Sequence, residues 1–334
     1  MIISTIVLSS CNISFITNST GYTPSTQRTY QTTTEYVLPD SDNPDGYEVI
    51  FDLGNGETYK TTTTKSGHII EPAKPEKSFA NFEGWYNNDV LFDFSYKVGT
   101  NITLTAKWSY DYASLVNYVY QNTVKAAIKI ETQAEKNGFI SRATSDSIGS
   151  GIIIEEDDYY YYALTNNHVV YYDKTEYNSV SYYVYDCYNN IYQPRNVRVL
   201  YSLASYDLAL IRFSKGEKQL EKVKFAKISK TDKVFTLGNP KSLSNAISLG
   251  DYIGEKVFKP SVESIEKSNV EFEVLMHNAF IDNGSSGGAV FNFNLELIGI
   301  SFASSVSEKT GEFIRGYAIP IEKVKEFINL YNEG

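Results

Sequence analysis

The run Asp282-Asn283-Gly284-Ser285-Ser286-Gly287-Gly288-Ala289-Val290 constrains this chain more than any other segment. A Gly-x-Ser-Gly-Gly loop between apolar strand patterns presents a serine hydroxyl beside free backbone N–H groups, the layout of a nucleophile with its oxyanion hole. Glycine-serine turns are also common punctuation, so the loop means little alone. Two further segments give it company. Ala163-Leu164-Thr165-Asn166-Asn167-His168-Val169-Val170 is a strand pattern running into a histidine, and Tyr206-Asp207-Leu208-Ala209-Leu210-Ile211 places an aspartate at the mouth of an alternating apolar strand.

These three residue types form a chemical set. A serine hydroxyl is a weak nucleophile until a neighbouring base takes its proton, and a histidine, with an ordinary pKa near ~6.5, can take it at neutral pH and return it to a leaving amine. A buried carboxylate fixes the imidazole tautomer and stabilises the imidazolium. The expected roles are therefore Ser286 as nucleophile, His168 as general base and acid, and Asp207 as the orienting carboxylate. The N–H groups of Gly284 and Ser286 are the expected oxyanion donors, and a glycine at 284 tolerates the backbone conformation such a loop demands. The chain has three histidines. His68 lies far upstream and His277 has no apolar strand pattern of its own, so both are read as structural or solvated.

A family resemblance then covers roughly residues 120 to 330. Gly149-Ser150-Gly151-Ile152-Ile153-Ile154, the Thr165 to Val170 run, Asp207 to Ile211, Leu237-Gly238-Asn239-Pro240, Gly284 to Val290 and Tyr317-Ala318-Ile319-Pro320-Ile321 occur in this order. Together they resemble the HtrA/Deg branch of trypsin-like serine proteases, and the order His, Asp, Ser is that of chymotrypsin. The resemblance implies a mainly β fold, a chymotrypsin-like double antiparallel β-barrel, with His168 and Asp207 on the first barrel and Ser286 on the second. It also implies polypeptide substrates and a serine endopeptidase that uses no cofactor.

The departures bear on specificity and regulation. Only Glu322 to Gly334 follow the Ala318-Ile319-Pro320 stretch, enough for one closing helix with apolar Val324, Phe327, Ile328 and Leu330. No PDZ domain is expected within this sequence, so the family's regulation and trimer formation do not carry over. Ser285 stands where the family commonly has asparagine. Six residues before the nucleophile, where trypsin-type enzymes place an aspartate, this chain has Phe280. Glutamyl endopeptidases resemble the Val290-Phe291-Asn292 and Ile298-Gly299-Ile300 stretches but place a histidine after the last strand, where this chain reads Ser301-Phe302. An apolar pocket formed by Phe280, Ile281, Ser301 and Phe302 is the expectation, favouring small or medium aliphatic P1 side chains.

The 334 residues, 42% hydrophobic and 14% aromatic, are enough to bury one large core and one small one. A formal charge of -10 argues against a nucleic-acid partner. The two cysteines, Cys11 and Cys187, stand in unlike contexts, so no disulfide framework is expected. Cys187 reads as a partly buried packing residue. No metal-ligand spacing is visible, and no run of eighteen apolar residues suggests a membrane-spanning helix.

Residues 1–11, ending Leu8-Ser9-Ser10-Cys11, resemble the signal and lipobox of bacterial lipoproteins, in which the cysteine is lipidated, although no Lys or Arg precedes the apolar run. Residues 12–46 are Ser/Thr/Asn-rich and read as a flexible tether. From 47 to 108 the pattern changes to aromatic strands, Val49 to Leu53, Asn81 to Tyr86 and Leu104 to Trp108, with a turn at Gly54-Asn55-Gly56. This stretch resembles the internalin-type B-repeat, a β-grasp-like module of secreted and surface proteins; whether it is a spacer, an adhesion module or a substrate-docking module stays open, and a cell-surface ligand is one of its readings. Residues 109–334 are assigned to the protease domain, with a helix over Tyr110 to Gln121 and a first barrel strand over Val124 to Ile130. The implied location is extracellular or on the cell surface, with the lipid anchor as the only membrane contact. Two rival readings remain: an adhesin or binding protein with a catalytically inactive protease-like domain, against which the intact His168, Asp207, Ser286 and Gly284 count, and an intramembrane or cytosolic quality-control protease, against which the tether and repeat count.

Overall fold

A computed structural model describes residues 46–54, 58–62, 67–137, 142–227, 233–240, 244–259 and 265–334. The signal-like segment with Cys11, nearly all of the tether, and turn residues 55–57 lie outside the described residues. The described chain divides between Leu115 and Val116 into two compact units.

The N-terminal unit is one mixed sheet built from β1 (Glu48–Asp52), β2 (Thr58–Thr62), β3 (Ala80–Asn87), β4 (Val90–Leu91) and β5 (Ile102–Tyr110). The order is β2-β1-β5-β3-β4, with β1 and β5 parallel and the other pairs antiparallel. Alternation puts Val49, Phe51, Trp85, Leu104 and Ala106 on one face, where they are buried with Ile69 and Val98. Phe51 meets Trp85 edge-on at 4.8 Å and stacks on Tyr59 at 4.8 Å, so aromatic residues that mark the strands in the sequence pack together in and against this small core. Trp108 on the central strand β5 donates its indole N–H to the Leu53 carbonyl, just past β1, at 3.0 Å.

The division falls within α1 (Tyr112–Gln121), capped by Asp111, whose carboxylate accepts the Ser114 N–H at 3.0 Å. Strand structure begins three residues later than the apolar run at 124 suggested. Val124 and Ala126 are buried within a 3-10 turn, and the first strand of the barrel starts at Ala127.

Among the described residues, fourteen strands follow in two sheets of seven. The first contains β6 (Ala127–Asn137), β7 (Arg142–Glu156), β8 (Tyr160–Thr165), β9 (Ser179–Tyr185), β10 (Ile191–Tyr192), β11 (Val197–Leu203) and β12 (Leu208–Ser214), with α2 (Asn167–Val170) between β8 and β9. The order β10-β9-β6-β7-β8-β12-β11 is antiparallel throughout. Val184 and Tyr192 from one end of the order share a core with Val197 from the other, together with Ile130, Ala163, Ile211 and Phe213. The sheet is therefore curled onto itself.

The second sheet contains β13 (Lys224–Phe225), β14 (Lys233–Gly238), β15 (Ala246–Val257), β16 (Glu273–His277), β17 (Ala289–Asn292), β18 (Glu296–Val306) and β19 (Phe313–Pro320). Its order β17-β14-β15-β16-β19 returns to β17 through β18, which pairs with both β17 and β19. Six antiparallel strands thus close into a barrel, around Val234, Leu275, Val290, Ile298 and Ala318. The fold is mainly β, a chymotrypsin-like double antiparallel barrel preceded by a β-grasp-like repeat. The chain ends in α3 (Ile321–Glu333), which buries Ile321, Val324 and Phe327 and leaves Leu330 exposed, so the apolar stripe is one residue shorter than its sequence implied.

Candidate active site

His168 and Asp207 come together at the ends of adjacent strands. β8 pairs with β12 from Ala209 opposite Thr165 onward, so the turn after β8 and the turn before β12 lie side by side. One turn of helix follows β8 and carries His168; a tight turn, closed by the Asp207 N–H donating to the Ala204 carbonyl at 3.0 Å, carries Asp207. Asp207 has φ 47°, a left-handed conformation costly for a residue with a side chain, and it persists because its surroundings fix every polar group. Its Oδ1 accepts the His168 backbone N–H at 3.0 Å, its Oδ2 faces His168 Nδ1 at 2.8 Å, and its carbonyl accepts the Asn166 side-chain N–H at 2.8 Å. The carboxylate is fully buried while the imidazole is partly exposed. An ionised carboxylate only accepts, so Nδ1 carries the proton and Nε2 is left with a free lone pair.

The serine loop belongs to the second barrel, between β16 and β17. The Ser285 N–H donates to the Asp282 carbonyl at 2.8 Å, the Gly288 N–H to the Ser285 carbonyl at 2.9 Å, and the Gly287 N–H to the Ser301 carbonyl of β18 at 2.9 Å. Gly284 has φ 93° and Gly287 φ 83°, the region glycine enters at least cost. At Gly287 space also decides, since an added Cβ would stand 2.1 Å from the Ser150 carbonyl oxygen. Among the described residues, the backbone N–H groups of Gly284 and Ser286 donate to no protein acceptor.

The two barrels meet at this loop. The Ser150 N–H on β7 donates to the Ser286 carbonyl at 2.7 Å. Gly149 is wedged between the Val169 side chain and that same carbonyl, so the Ser286 backbone lies one glycine away from the helix bearing His168. The hydrogen bonds among the described residues join His168 to Asp207 and Ser286 to β7; a direct Ser286 Oγ to His168 bond is not among them. Such contacts are often long without substrate and tighten when it binds.

Phe280, Ile281 and Ser301, three of the four residues expected at the specificity pocket, border a cavity of about 100 Å³ with Leu237, Ile247 and Ser285. The Ser301 hydroxyl is buried and without a hydrogen-bond partner among the described residues. Phe302 does not line that cavity. Successive side chains on a strand point to opposite faces, and Phe302 packs edge-on against Phe258 at 4.9 Å. Asp282 is the one charged residue at the cavity among the described residues, and its Oδ1 accepts the Asn283 N–H at 2.8 Å.

Outside this cluster, His277 ends β16 fully buried, with Nδ1 at 3.1 Å from the Ala279 carbonyl and Nε2 unpartnered among the described residues. Burial drives its pKa down to about 4, so it is a neutral structural histidine. Burial pushes the Cys187 thiol up to about 11, which fits a packing residue and not a nucleophile. His68 is half-buried in the repeat. Residues the sequence does not single out individually are Asn166, Ser150 and Asn239; all three sit inside recognised motifs, which mark the segments without assigning any of them a role.

Comparison with known proteins finds a matching family model over part of the repeat-like region and over part of the barrel region. The chain is 31% identical over 128 residues to a probable periplasmic serine endoprotease DegP-like of Buchnera aphidicola subsp. Baizongia pistaciae, covering 36% of this chain and 25% of that protein. It is 35% identical over 107 residues to the periplasmic serine endoprotease DegP of Escherichia coli K12, covering 26% and 22%. To a serine protease HtrA-like of Staphylococcus aureus it is 24% identical over 218 residues, covering 62% and 26%. The chain thus spans about a quarter of the length of these curated relatives. A crystal structure of a protease from M. tuberculosis in its active form superposes with a TM-score of 0.49 at 18% identity, covering 65% of this chain and 85% of that one. Residues 47–107 match the Listeria-Bacteroides repeat domain, and residues 149–300, the segment that carries His168, Asp207 and Ser286, match the trypsin-like peptidase domain family.

Proposed function

We propose that this protein is a serine endopeptidase that hydrolyses peptide bonds through Ser286, His168 and Asp207. The observation that carries the reading is the doubly held His168, joined to Asp207 through both ring and backbone, beside a serine loop with two unused N–H groups. In the reaction His168 Nε2 takes the Ser286 Oγ proton as the oxygen attacks the substrate carbonyl. The carbonyl oxygen becomes an oxyanion held by the Gly284 and Ser286 N–H groups. The amine leaves with the proton returned by His168, an acyl group remains on Ser286, and water repeats the sequence to release the acid. Asp207 stays ionised and stabilises the imidazolium.

The small cavity at Phe280, Ile281 and Ser301 supports a P1 preference for small or medium aliphatic side chains, because it is small and its lining among the described residues is mostly apolar. Similarity to proteins named as periplasmic, together with a repeat that resembles surface modules, supports an extracellular or envelope location. A lipid anchor at Cys11 accounts for attachment, and Cys11→Ala is expected to move the protein from the membrane fraction to the medium; unchanged fractionation would refute the anchor.

Labelling with a fluorophosphonate probe tests the catalytic reading, because only an activated serine reacts. The label is expected on Ser286 and absent from Ser286→Ala. A wild-type protein that stays unlabelled would support the rival reading of a binding protein with an inactive protease-like domain.

A further inference from the structure

Ser150 has no place in the triad, yet it is fully buried and has every polar group engaged. Its N–H donates to the Ser286 carbonyl at 2.7 Å and its carbonyl accepts the Thr165 hydroxyl at 2.7 Å. Its hydroxyl donates to the Gly284 carbonyl at 2.7 Å and accepts from Asn239 twice, from the backbone N–H at 2.8 Å and the side-chain N–H at 3.3 Å. A hydroxyl has one proton. With Asn239 supplying protons to the oxygen, the Ser150 proton has a single destination, the Gly284 carbonyl. Asn239 is itself anchored, since its side chain also donates to the Ile128 carbonyl at 3.0 Å and accepts the Asn245 N–H at 3.2 Å.

The consequence lies one residue along the chain. Gly284 has no side chain to hold its peptide planes, and its φ of 93° sits in a broad region where glycine's neighbours rotate at little cost. Its carbonyl and that of Ser286 are both tied to Ser150 on the other barrel, so the loop is gripped on both sides of Ser285. Preorganised donors contribute most when they need no reorientation as charge develops. We propose that Ser150 is a positioning residue for the oxyanion hole, fixing through the Gly284 carbonyl the orientation in which the Gly284 and Ser286 N–H groups meet the substrate oxygen. This rests on the reading of those groups as oxyanion donors in a serine endopeptidase.

The test compares wild type with Ser150→Ala and with Thr165→Val, which removes a buried hydroxyl bonded to the same residue but leaves the Gly284 carbonyl held. For each, kcat and KM on a short peptide are measured with the inhibition constants of a peptidyl trifluoromethyl ketone, which forms an oxyanion on adding to Ser286, and of the matching peptidyl alcohol, which forms none. Removing a direct oxyanion donor costs about 10²–10³ in kcat, so loosening one is expected to cost about 10–100-fold. Ser150→Ala is expected to lose that factor in kcat and in ketone affinity together, with KM and alcohol affinity within about twofold of wild type. Thr165→Val is expected to lower the melting temperature while ketone affinity stays within about threefold. Ser150→Cys, a weak donor of similar size, carries the same test if the alanine variant does not fold. An unchanged ketone affinity in a folded Ser150 variant, equal losses for ketone and alcohol, or the same loss in Thr165→Val would overturn the inference alone. A wild-type protein that neither cleaves peptide nor binds the ketone would overturn the endopeptidase reading, and the inference with it.

Discussion

Asp207 grips His168 at two points, the backbone N–H at 3.0 Å through Oδ1 and the ring Nδ1 at 2.8 Å through Oδ2. The first contact fixes where the helix turn starts and the second fixes which ring nitrogen bears the proton. Asp207→Asn keeps the shape of the side chain but offers a donor to one of these contacts, favouring the wrong tautomer. It is expected to lower kcat by about 10⁴ with KM little changed. A loss below about tenfold would show that the carboxylate does not orient the base.

The buried His277 makes stability depend on acid. Its folded-state pKa is depressed to about 4 and its unfolded value is near the ordinary 6.5, so the unfolded chain binds the proton more tightly. This term leaves stability untouched above pH ~6.5, erodes it as pH falls through the window from ~6.5 to ~4, and is complete below that. The shift corresponds to about 3 kcal/mol. His277→Asn removes the titration while keeping a donor for the Ala279 carbonyl. In urea unfolding its stability is expected to fall less than that of wild type between pH 7 and pH 4, and parallel pH curves for the two proteins would count against the assignment.

For specificity, peptides with Val, Ile, Leu or Ala at P1 are expected to be cut ahead of those with Lys, Arg or Glu, since Phe280 stands where a pairing carboxylate would serve a basic side chain. Profiling cleavage on a mixed peptide library checks this. A dominant Lys or Arg signature would refute it.

Much of this organisation is written locally. His168, Asp207 and the Gly284 loop each lie where an apolar strand pattern breaks, and such breaks are where a barrel puts its turns. The aromatic strands of the repeat and the closing helix are equally local signals. What a sequence does not display is pairing between distant segments. The parallel match of β1 with β5 and the pairing of β16 with β19 join residues by register alone. Ser150 bonds to Gly284, 134 residues away, so its motif was visible and its partner was not. Phe302 was placed at the pocket from its neighbours, although strand alternation turns it to Phe258. His277 lacked an apolar strand pattern because β16 is short and ends on it, yet it is among the most buried polar residues.

The division between Leu115 and Val116 leads to a prediction about independence. Both tryptophans, Trp85 and Trp108, lie in the repeat, so their fluorescence reports that unit while peptide cleavage reports the other. The two signals are expected to be lost at different denaturant concentrations, and a chain beginning at Tyr110 to keep full activity on short peptides. Coincident transitions together with an inactive truncated protein would show that the repeat helps form the site.

The central claim is that Ser286 and His168 act as one unit, and the most direct measurement is kcat on a short peptide for Ser286→Ala, His168→Ala and the double variant. Each single change is expected to lower kcat by roughly 10⁴ to 10⁶, with the double variant losing little more, because removing either partner already abolishes proton transfer from the nucleophile. Losses that multiply in the double variant, or a single variant that retains wild-type kcat, would contradict the account.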